Sequence, residues 1–435
     1  MRMMKSTKYK ETEIGEIPEE WSILKLSDLT FKITKGTTPT TLGGKFVNKG
    51  INFVKVESLN DDGTINQEKF MYIDEETNNL LARSKLQRND LLYSIAGTIG
   101  RVSIVSDDIL PANVNQAVAI LRPNLSKINL LYLRYALVNP ELKNYLLSKV
   151  VHAVQANLSL SEIGNCPVPI PDTKEQEKIA KILSDLDSKI KLNQQMKKSL
   201  ESIGQSLFKY WFVDFEFPNE KTKPYKLSGG EMVDSELGEI PKGWKIKPID
   251  EIAKFLNGLA LQKFPAEEGE EYLPVIKIRE LRQGITESTD KANLSLPSEY
   301  IINDGDILFS WSGSLEVVIW TSGRGALNQH LFKVSSDTYP KWFYYDWVLH
   351  YLPEYRLIAE GKATTMGHIQ RQHLKNSLVV IPSEGTLTKM NNVLNPIIEK
   401  LIEININSRN LSQIRELLLP KLMSGKIRVP VEVRT

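Results

Sequence analysis

The residues that could perform chemistry are few and scattered along this 435-residue chain. Glu360-Gly361-Lys362 has the E-x-K form of a nuclease site, but no convincing partner aspartate stands on a preceding strand. His368 and His373 are five residues apart, which is the wrong spacing for two metal ligands on one helical face, and no cysteine pair accompanies them. We therefore expect no metal site and no hydrolytic centre in this chain.

Sequence motifs for nucleotides and for methyl transfer are also missing. There is no G-x-x-x-x-G-K-[ST] phosphate loop, and no glycine-rich dinucleotide fingerprint lies between a strand and a helix. Gly36–Pro39 has the composition of a turn rather than of a phosphate cradle. Asn139-Pro140-Glu141 lacks the second proline and the aromatic residue of an adenine methyltransferase loop. The sequence predicts a protein that is not an enzyme and holds no cofactor of its own.

Bulk composition is that of an ordinary globular protein, with 41% hydrophobic and 25% charged residues. The single cysteine, Cys166, excludes an internal disulfide and fits a reducing cytoplasm. The N-terminal segment lacks the apolar run of a signal peptide, and no segment approaches the roughly 18–20 apolar residues of a membrane span. Because the net charge is only +2, a nucleic-acid surface would require local clustering of basic residues.

A long repeat organises the elements that must position these residues. Glu13–Trp21 returns as Glu236–Trp244, about half the chain later. Four further pairs of segments align in the same order: Phe53–Leu59 with Val275–Leu281, Asp90–Gly97 with Asp306–Gly313, Asn115-Gln116 with Asn328-Gln329, and Val168–Pro171 with Val379–Pro382. Between them, Thr37–Lys49 and Leu259–Glu271 share almost nothing. The pattern predicts two similar tandem domains with a common frame and different loops.

Each half has a mixed secondary-structure pattern. The runs Leu91–Ile95, Val102–Val105 and Ala117–Leu121 are β-branched or alternating and predict strands. Leu130–Val151 predicts a helix that Pro140 divides in two, and Pro353 interrupts the corresponding helix Tyr339–Glu360. The predicted fold class is therefore α/β in the broad sense, a mixed α+β domain present twice.

A heptad pattern follows each half. In each pattern, the first series has members seven residues apart, and the second series lies three residues after some of them. After the first half, the first series is Ile179, Leu186, Asn193, Leu200 and Leu207, and the second is Ile182, Met196, Ile203 and Tyr210. After the second half, the first series is Met390, Ile397, Ile404, Leu411 and Leu418, and the second is Val393, Asn407 and Ile414. This spacing predicts two long helices, each with a coiled-coil seam. We expect them to pack against each other as an antiparallel pair in a pseudo-twofold molecule, with Asn193 and Asn407 as polar seam residues. The alternative is that each helix packs only on its own half.

The predicted boundaries follow from the repeat and the heptads. They are 1–171 for a first globular domain, 172–217 for a long helix, 218–382 for a connector and second globular domain, 383–428 for the second long helix, and 429–435 for a tail. Pro171 and Asp172 precede the first helix and Pro218 follows it, as start and stop signals should. Pro396 lies inside the second pattern and predicts a kink or an early end there.

Because the motifs occur in a fixed order and that order is duplicated, the chain resembles the specificity subunits of Type I restriction–modification systems. The marks are the G-E-I-P-x-x-W openings, the Gly36–Pro39 turn, Ser94-x-x-Gly97, the two Asn-Gln pairs, Pro169–Pro171 leading to Glu175–Ile179, and the pairing of Leu207–Phe212 with Leu418–Gly425. The resemblance covers nearly the whole chain. It departs in the second half, where Gly258-Leu259-Ala260 replaces Gly-Thr-Pro and Gln176 has no counterpart.

The resemblance implies a function without catalysis. Each domain is expected to read one half of a bipartite target in double-stranded DNA, and the helices to set the spacing and dock the methyltransferase subunits. The implied partners are two modification subunits, which bring S-adenosylmethionine, and restriction subunits that use ATP and Mg²⁺ for translocation and cleavage; no membrane is involved. The aromatic residues of Phe208–Phe217 are expected to be partly domain core and partly a docking surface.

Residues that read bases should be polar side chains on loops, with nearby Lys and Arg holding phosphates. In the first half the candidates are Lys35, Thr37, Thr38, Lys45, Lys49, Lys55, Arg83, Lys85, Asn115, Gln116, and Gln155 and Asn157 of a late loop. In the second half they are Lys263, Lys277, Arg279, Arg282, Arg324, Asn328, Gln329, Lys362, Thr364, Thr365, His368 and Arg371. For any one of them an ordinary solvated position explains the residue type equally well. The Asn-Gln pairs could equally serve to structure turns.

Two other interpretations remain open on the sequence alone. One is a duplicated-domain scaffold, whose coiled coil is the function and whose loops bind protein rather than DNA. The other is the recognition subunit of a related system, or a solitary silent copy. Sequence-specific DNA binding with a modification subunit separates the scaffold from the specificity subunit.

Overall fold

The computed structural model describes residues 8–152, 156–361 and 367–430. The chain divides into two compact units. The first contains the residues up to Ser188 together with those from Ser412 onward, and the second is Lys189–Leu411. The division falls inside both long helices. Among the described residues, no helix is long and apolar enough to cross a membrane.

The first unit is built mainly of short strands followed by helices. Its strands are β1 Tyr9–Lys10, β2 Ile17–Pro18, β3 Ser22–Lys25, β4 Thr30–Lys35, β5 Phe46–Val47, β6 Ile51–Val54, β7 Met71–Ile73, β8 Leu91–Ser94, β9 Val102–Ile104, β10 Ala112–Val114, β11 Val118–Pro123, β12 Val151–His152, β13 Ala156–Asn157 and β14 Pro167–Ile170. Its helices are α1 Glu75–Leu80, α2 Leu130–Val138, α3 Pro140–Ser148, α4 Leu160–Gly164 and the first long helix, α5 Thr173–Phe208, which continues into the second unit.

Two four-stranded sheets form the frame of the first unit. One has the order β4-β11-β8-β9 and is antiparallel throughout, and the other has the order β10-β6-β7-β5 with a parallel β10–β6 pair. The three strands predicted from Leu91–Ile95, Val102–Val105 and Ala117–Leu121 are confirmed as β8, β9 and β11. Leu91 to Ser94 are all buried, so β8 lies inside the core between its two neighbours.

Pro140 divides the helix that follows the sheet, as predicted. Asn139 is extended between α2 and α3, and Pro140 occupies the first turn of α3, where its missing amide hydrogen is not needed. Tyr132 and Leu133 of α2 are fully buried against the sheet. The helices therefore pack on the β4-β11-β8-β9 sheet.

The second unit repeats this plan. Its strands are β15 Met232–Ser235, β16 Gly238–Pro241, β17 Lys245–Pro248, β18 Lys254–Asn257, β19 Leu273–Ile276, β20 Lys291–Ala292, β21 Ile301–Ile302, β22 Ile307–Ser310, β23 Val317–Ile319, β24 Gly325–Leu327, β25 Leu331–Ser335 and β26 Leu378–Ile381. Its helices are α6 Ile249–Ile252, α7 Ile278–Gln283, α8 Lys341–Glu360, α9 Arg371–Asn376 and the second long helix, α10 Glu384–Met423, which ends in the first unit. The sheet β18-β25-β22-β23 matches β4-β11-β8-β9 strand for strand.

The predicted interruption at Pro353 and the early helix end considered at Pro396 are wrong. Helix α8 runs unbroken through Pro353, and α10 runs unbroken through Pro396. Leu352 and Tyr355 on either side of Pro353 are buried in the core, while Pro353 itself is exposed. Packing on both sides of the proline outweighs the roughly 3 kcal/mol that proline costs a helix interior.

The first long helix begins where the sequence predicts. The Asp172 carboxylate accepts the amide hydrogen of Glu175 at 3.0 Å, which caps the free end of α5. The other end, Phe208, continues as a single π turn, Lys209–Val213. Of the aromatic run, Phe208, Trp211, Phe212 and Phe217 are buried in the core of the second unit, Phe215 packs partly against it, and Tyr210 is exposed. The run is therefore mostly core rather than docking surface.

The two long helices pack against each other in both units. In the second unit, the Asn193 amide donates to Asn407 at 2.9 Å, and Gly204 lies opposite Ile397. Numbers on one helix rise as those on the other fall, so the pair is antiparallel, as predicted. In the first unit, Asp187 forms an ion pair with Arg415. The helices also pack on their own halves, so the alternative that excluded mutual contact is wrong.

The predicted heptad seam is only partly buried. In α10 the first series includes the buried Met390 and Ile404, whereas all of the second series is exposed. Ile203 of α5 and Val393 of α10 are 48% and 46% exposed, so the second series does not close a seam. Each helix shares its apolar face between its partner helix and its own domain, and this geometry leaves a second row of apolar residues outward.

Candidate nucleic-acid interface

Four loops of the first unit meet at one end of the β4-β11-β8-β9 sheet. We call residues 36–39, 95–98, 115–117 and 156–158 the first loop cluster. Backbone hydrogen bonds join them: Ile95 donates to Ala117 at 2.9 Å, and Leu158 donates to Ile95 at 3.0 Å. Asn157 also pairs with Ala96. The divergent loop after β4 and the late loop, far apart in sequence, thus share one surface.

The second unit has the same arrangement at the equivalent end of its sheet. The second loop cluster is residues 258–261, 311–314, 328–330 and 367–369. The Trp311 backbone amide donates to the His330 carbonyl at 3.3 Å, and the Ile369 backbone amide donates to the Trp311 carbonyl at 2.9 Å. Ser312 pairs with His368, as Ala96 pairs with Asn157 in the first unit. The two units therefore present the same set of loops on the same scaffold.

The shared serine of the Ser-x-x-Gly motif shapes the central turn. Ser94 donates its hydroxyl hydrogen to the Thr98 carbonyl at 2.6 Å and accepts the Arg101 amide hydrogen at 2.8 Å. Ser310 makes the same two bonds, to Ser314 at 2.8 Å and from Glu316 at 2.7 Å. Because both hydroxyls are used internally and buried, this serine positions the turn instead of contacting a ligand.

A glycine holds the edge loop tightly against the Asn-Gln turn in each cluster. A Cβ atom on Gly36 would lie 1.9 Å from the Val114 carbonyl oxygen, and one on Gly258 would lie 2.2 Å from that of Asn328. No side chain fits at either position. This close approach explains why the glycine remains in both halves although the residues after it differ.

The two Asn-Gln pairs play mixed roles. Asn328 is buried and accepts the His330 amide hydrogen at 3.2 Å, which is a turn-structuring contact. Gln116, by contrast, is exposed and accepts a hydrogen bond from the Thr38 hydroxyl at 2.6 Å. Asn115 leaves its side-chain oxygen buried and without a partner among the described residues. The glutamine of the first pair is the member that is available at the surface.

Several of the first-half candidates hold one another in place around this cluster. Arg83 donates to the Thr37 hydroxyl at 3.1 Å. Lys45 forms an ion pair with Asp74 at 3.3 Å, and Lys85 donates to Asn79 at 2.6 Å. The Thr77 hydroxyl and amide, together with Lys45, hold the pKa of the Asp74 carboxyl below its ordinary value. In the part of the chain that the structure describes, the side chains of Lys35, Lys49 and Lys55 form neither hydrogen bonds nor ion pairs.

Several of the second-half candidates form ion pairs with carboxylates of their own unit. Lys277 pairs with Asp290, and this contact lowers the pKa of the Asp290 carboxyl. Arg279 pairs with the buried Glu280 at 2.8 Å. Lys263 and Arg324 are exposed, and their side chains have no partner among residues 8–152, 156–361 and 367–430.

The late loop of the second half brings aromatic and basic groups together. His368 packs edge-on against Trp311, with ring centroids 6.3 Å apart. The Arg371 guanidinium lies 5.7 Å from the Phe332 ring centre and donates to the Phe255 carbonyl at 3.3 Å. Asn157 of the first half is exposed. The remaining late-loop candidates, Gln155, Lys362, Thr364 and Thr365, lie outside the described residues.

Sequence reasoning missed an ionic cluster beside the second loop cluster. Glu316 accepts hydrogen bonds from Arg282 at 2.6 Å and from Arg356 at 3.3 Å. The structurally equivalent position of the first unit is Arg101, which pairs with Asp61 at 2.8 and 3.0 Å. The basic Arg101 of the first unit thus takes the position that the acidic Glu316 has in the second, and each pairs with residues of opposite charge. No spacing rule in the sequence identifies these partners, because they come from different elements.

The two clusters offer hydrogen-bond donors and acceptors. Exposed amide, hydroxyl, guanidinium and ammonium groups can bond to base edges and phosphates. In the described ranges, no three His, Cys, Asp or Glu side chains are placed to hold a metal ion. The arrangement suits recognition of a polar, anionic polymer.

Comparison with known proteins agrees with this arrangement. The Type I restriction modification DNA specificity domain matches residues 18–202 and again residues 241–414. The MjaIX Type I restriction enzyme specificity subunit of Methanocaldococcus jannaschii is 27% identical, covering 97% of each chain. The HindI specificity subunit of Haemophilus influenzae is 24% identical over 80% of this chain and 88% of its own.

A solved structure supports the fold. The crystal structure of a Type-I restriction-modification system S subunit from M. genitalium covers 99% of both chains with a TM-score of 0.54, at 14% identity. The family model accounts for most of the chain in two tandem copies, one for each half of the repeat. The chain therefore belongs to the family of specificity subunits of Type I restriction–modification systems.

Proposed function

We propose that this chain reads a bipartite sequence in double-stranded DNA, with one loop cluster for each half of the target. The helices set the spacing between the halves. Catalysis belongs to partner chains: two modification subunits with S-adenosylmethionine, and restriction subunits with ATP and Mg²⁺. The chain contributes recognition alone.

The observation that carries this proposal is the duplicated loop cluster. Each unit places a divergent edge loop, an Asn-Gln turn and a late loop at the same end of a matching sheet. Polar side chains such as Gln116 and Thr38 stand on this rim in one unit. Since the frame is common and the loops differ, the two units are suited to bind the same polymer and to discriminate different sequences on it.

The bonded sets within each cluster suggest how bases are read. Arg83, Thr37, Thr38 and Gln116 form two linked pairs on the first rim, and their mutual hydrogen bonds fix the direction of each donor before DNA arrives. The unpaired Lys35, Lys49, Lys55, Lys263 and Arg324 would bind phosphates, which gives affinity without sequence information.

The boundaries of the working parts also belong to this proposal. Residues 1–171 and 218–382 act as readers, 172–217 and 383–428 as spacers and docking elements, and 429–435 as a tail. Outward apolar side chains on the helices, such as Ile203, Val393 and Leu417, which is 63% exposed, support a role in docking protein subunits.

Mapping of methylated adenines tests the proposal. The chain is expressed with its modification subunit in cells free of other methyltransferases, and modified positions are read by direct sequencing of native DNA. We expect one bipartite motif with a fixed gap. Gln116→Ala should relax one half of the motif, and Arg282→Ala should relax the other.

The control variant is Lys25→Ala, an exposed residue of β3, which pairs with β14 in a different sheet from the one that carries the first loop cluster, and it should leave the motif unchanged. A continuous motif, or a change in both halves from a single substitution, contradicts the assignment of one half-site to each cluster. DNA binding that does not depend on sequence favours the scaffold interpretation instead.

A further inference from the structure

We infer that a notch in the second unit, formed by α5, α8 and α10, receives the ammonium end of a lysine side chain from a partner subunit of the complex. This inference rests on the proposed function, because it assigns a contact within the assembly that delivers methylation. The notch has a volume of about 30 Å³, and its walls are mainly the apolar side chains of Trp342, Leu349, Leu394, Ile397, Ile398 and Leu401.

Two carboxylates line this otherwise apolar notch. Asp346 of α8 is only 9% exposed, and its carboxylate has no hydrogen bond or ion pair among the described residues. Glu201 of α5 stands at the same notch, with Lys197 no closer than 3.9 Å. A buried, unpaired carboxylate destabilises a fold, and its presence in a cavity points to a cation that completes it.

The first unit shows what completes the equivalent junction. There the helix after the sheet and the two long helices also meet around charged groups. Asp187 of α5 accepts hydrogen bonds from Arg134 of α2 at 3.3 Å, from Arg415 of α10 at 3.1 Å and from the Tyr135 hydroxyl at 2.7 Å. One carboxylate there has two guanidinium partners from its own chain.

At the equivalent junction of the second unit, α8 contributes Asp346, α5 contributes Glu201 and α10 contributes Leu401. Two acids thus face an aliphatic side chain, and the described residues supply no cation to Asp346. The contrast between the two junctions identifies the missing component as a positive charge. A volume of about 30 Å³ has room for an ammonium group, so a lysine fits with its charged end beside Asp346 and its aliphatic stem along the apolar rim.

Gly204 keeps the notch open between the long helices. A Cβ atom at this position would make only an ordinary contact, 3.8 Å from Ile397. Alanine therefore fits there, whereas a long side chain would occupy the space that we assign to the partner. Leu200 of the same helix also lines the notch. The occupant is accordingly a lysine of a protein subunit.

The test measures binding of the full-length chain to the modification subunit of its own system. Asp346→Asn should weaken this binding on the order of 30-fold or more, because a buried charge on the partner loses its counter-ion. Gly204→Met should weaken it similarly by filling the notch. Asp337→Asn, an exposed acid of the same unit, and Gly204→Ala are the matched controls and should bind like the unmodified chain.

Stability of the free chain separates this role from a structural one. Asp346→Asn removes a buried unpaired acid, so the free variant should be at least as stable as the unmodified chain at pH 8 in tryptophan-monitored unfolding. Unchanged binding by both Asp346→Asn and Gly204→Met overturns the inference, as does a loss of affinity that simply follows a loss of fold. If the unmodified complex assembles normally but methylates no specific sequence, the proposed function fails while the notch result stands.

Discussion

Asn193 of the first long helix donates its side-chain amide hydrogen to the Asn407 carbonyl oxygen of the second, at 2.9 Å. The two residues differ in environment, since Asn193 is 4% exposed whereas Asn407 is exposed. A polar pair at one position of an apolar helix contact favours one register over its neighbours, because a shift would leave the buried amide without a partner. The pair thus defines how the helix segments of the second unit align.

Removal of the exposed partner should cost more stability than removal of the buried one. Asn407→Ala leaves the buried Asn193 amide unpaired and should lower the free energy of unfolding by about 1–3 kcal/mol. Asn193→Leu replaces the buried amide with an apolar group, while the Asn407 amide can turn to water, so it should be close to neutral. Tryptophan-monitored urea unfolding reports this unit, which contains all of the tryptophans except Trp21. Equal losses from both variants contradict the interpretation, and the exposed Gln195→Ala serves as the control.

A second prediction concerns the charged cluster that closes the first unit. Arg428 donates to both oxygens of the Glu175 carboxylate, at 2.9 and 3.0 Å, and Glu175 is 1% exposed. Glu175 also accepts the indole hydrogen of Trp21 at 3.1 Å. The hydrogen bond to Glu175 is the main cause that raises the pKa of the Arg428 guanidinium, and the contact with Glu20 adds to it.

Arg428→Met should destabilise this unit by about 3–5 kcal/mol, because it leaves a buried carboxylate without a counter-ion. The double variant Arg428→Met with Glu175→Gln should recover much of the loss, since neither charge remains. Differential scanning calorimetry measures both, with the exposed Lys426→Ala as control. Additive losses in the double variant would show that the two residues act independently.

The sequence predicted the domains and helices of this molecule better than it predicted the contacts between side chains of different elements. Repeat and heptad patterns depend on local chain properties, so they located both domains, both long helices and the Asn193–Asn407 pair. Pro353 was wrongly expected to interrupt its helix, and Pro396 does not end α10, because a local rule takes no account of packing on either side. The Glu316 and Asp346 clusters were not predicted, since their members come from separate elements and no spacing in sequence joins them.

The same distinction applies to the candidate interface. The Asn-Gln turns were marked by the repeat and the Gly36 turn by the family resemblance, and the structure brings these turns together at one end of the sheet. Whether a lysine is held by a neighbouring carboxylate, as Lys277 is by Asp290, depends on tertiary contacts. The DNA contacts of the individual candidates remain predictions.

The unpaired lysines of the first half give a salt-dependence prediction. Lys35→Ala and Lys49→Ala should each weaken binding to all DNA sequences alike and reduce the slope of log affinity against log salt by about one. The chain in complex with its modification subunit is titrated with specific and unrelated duplexes over a salt series. Lys25→Ala, on β3 of the separate β14-β3 sheet, should leave the slope unchanged. A change of preferred sequence without a change of slope would instead make either lysine a base reader.

The last prediction concerns pH and Asp346. Burial raises the pKa of this carboxyl from its ordinary value of 3.8 to about 8. Between these two values the unfolded chain releases the proton while the folded chain keeps it, so the folded state binds more protons and its stability falls as pH rises. The stability that this group contributes is fully present below about pH 4 and is lost as pH rises towards 8.

Asp346→Asn cannot titrate and should remove that part of the slope. The measurement is the difference in unfolding free energy between the variant and the unmodified chain, from pH 5 to pH 8, and it should grow with pH in favour of the variant. Glu201 and Tyr345, the other titratable groups that line the notch, remain in both proteins and cancel in the difference. In complex with the modification subunit the trend should reverse, because a bound cation favours the ionised Asp346 and only the unmodified chain can supply that charge. A difference that stays constant with pH in the free chain, or an identical trend in the complex, contradicts the assignment of Asp346 as a buried acid that its partner completes.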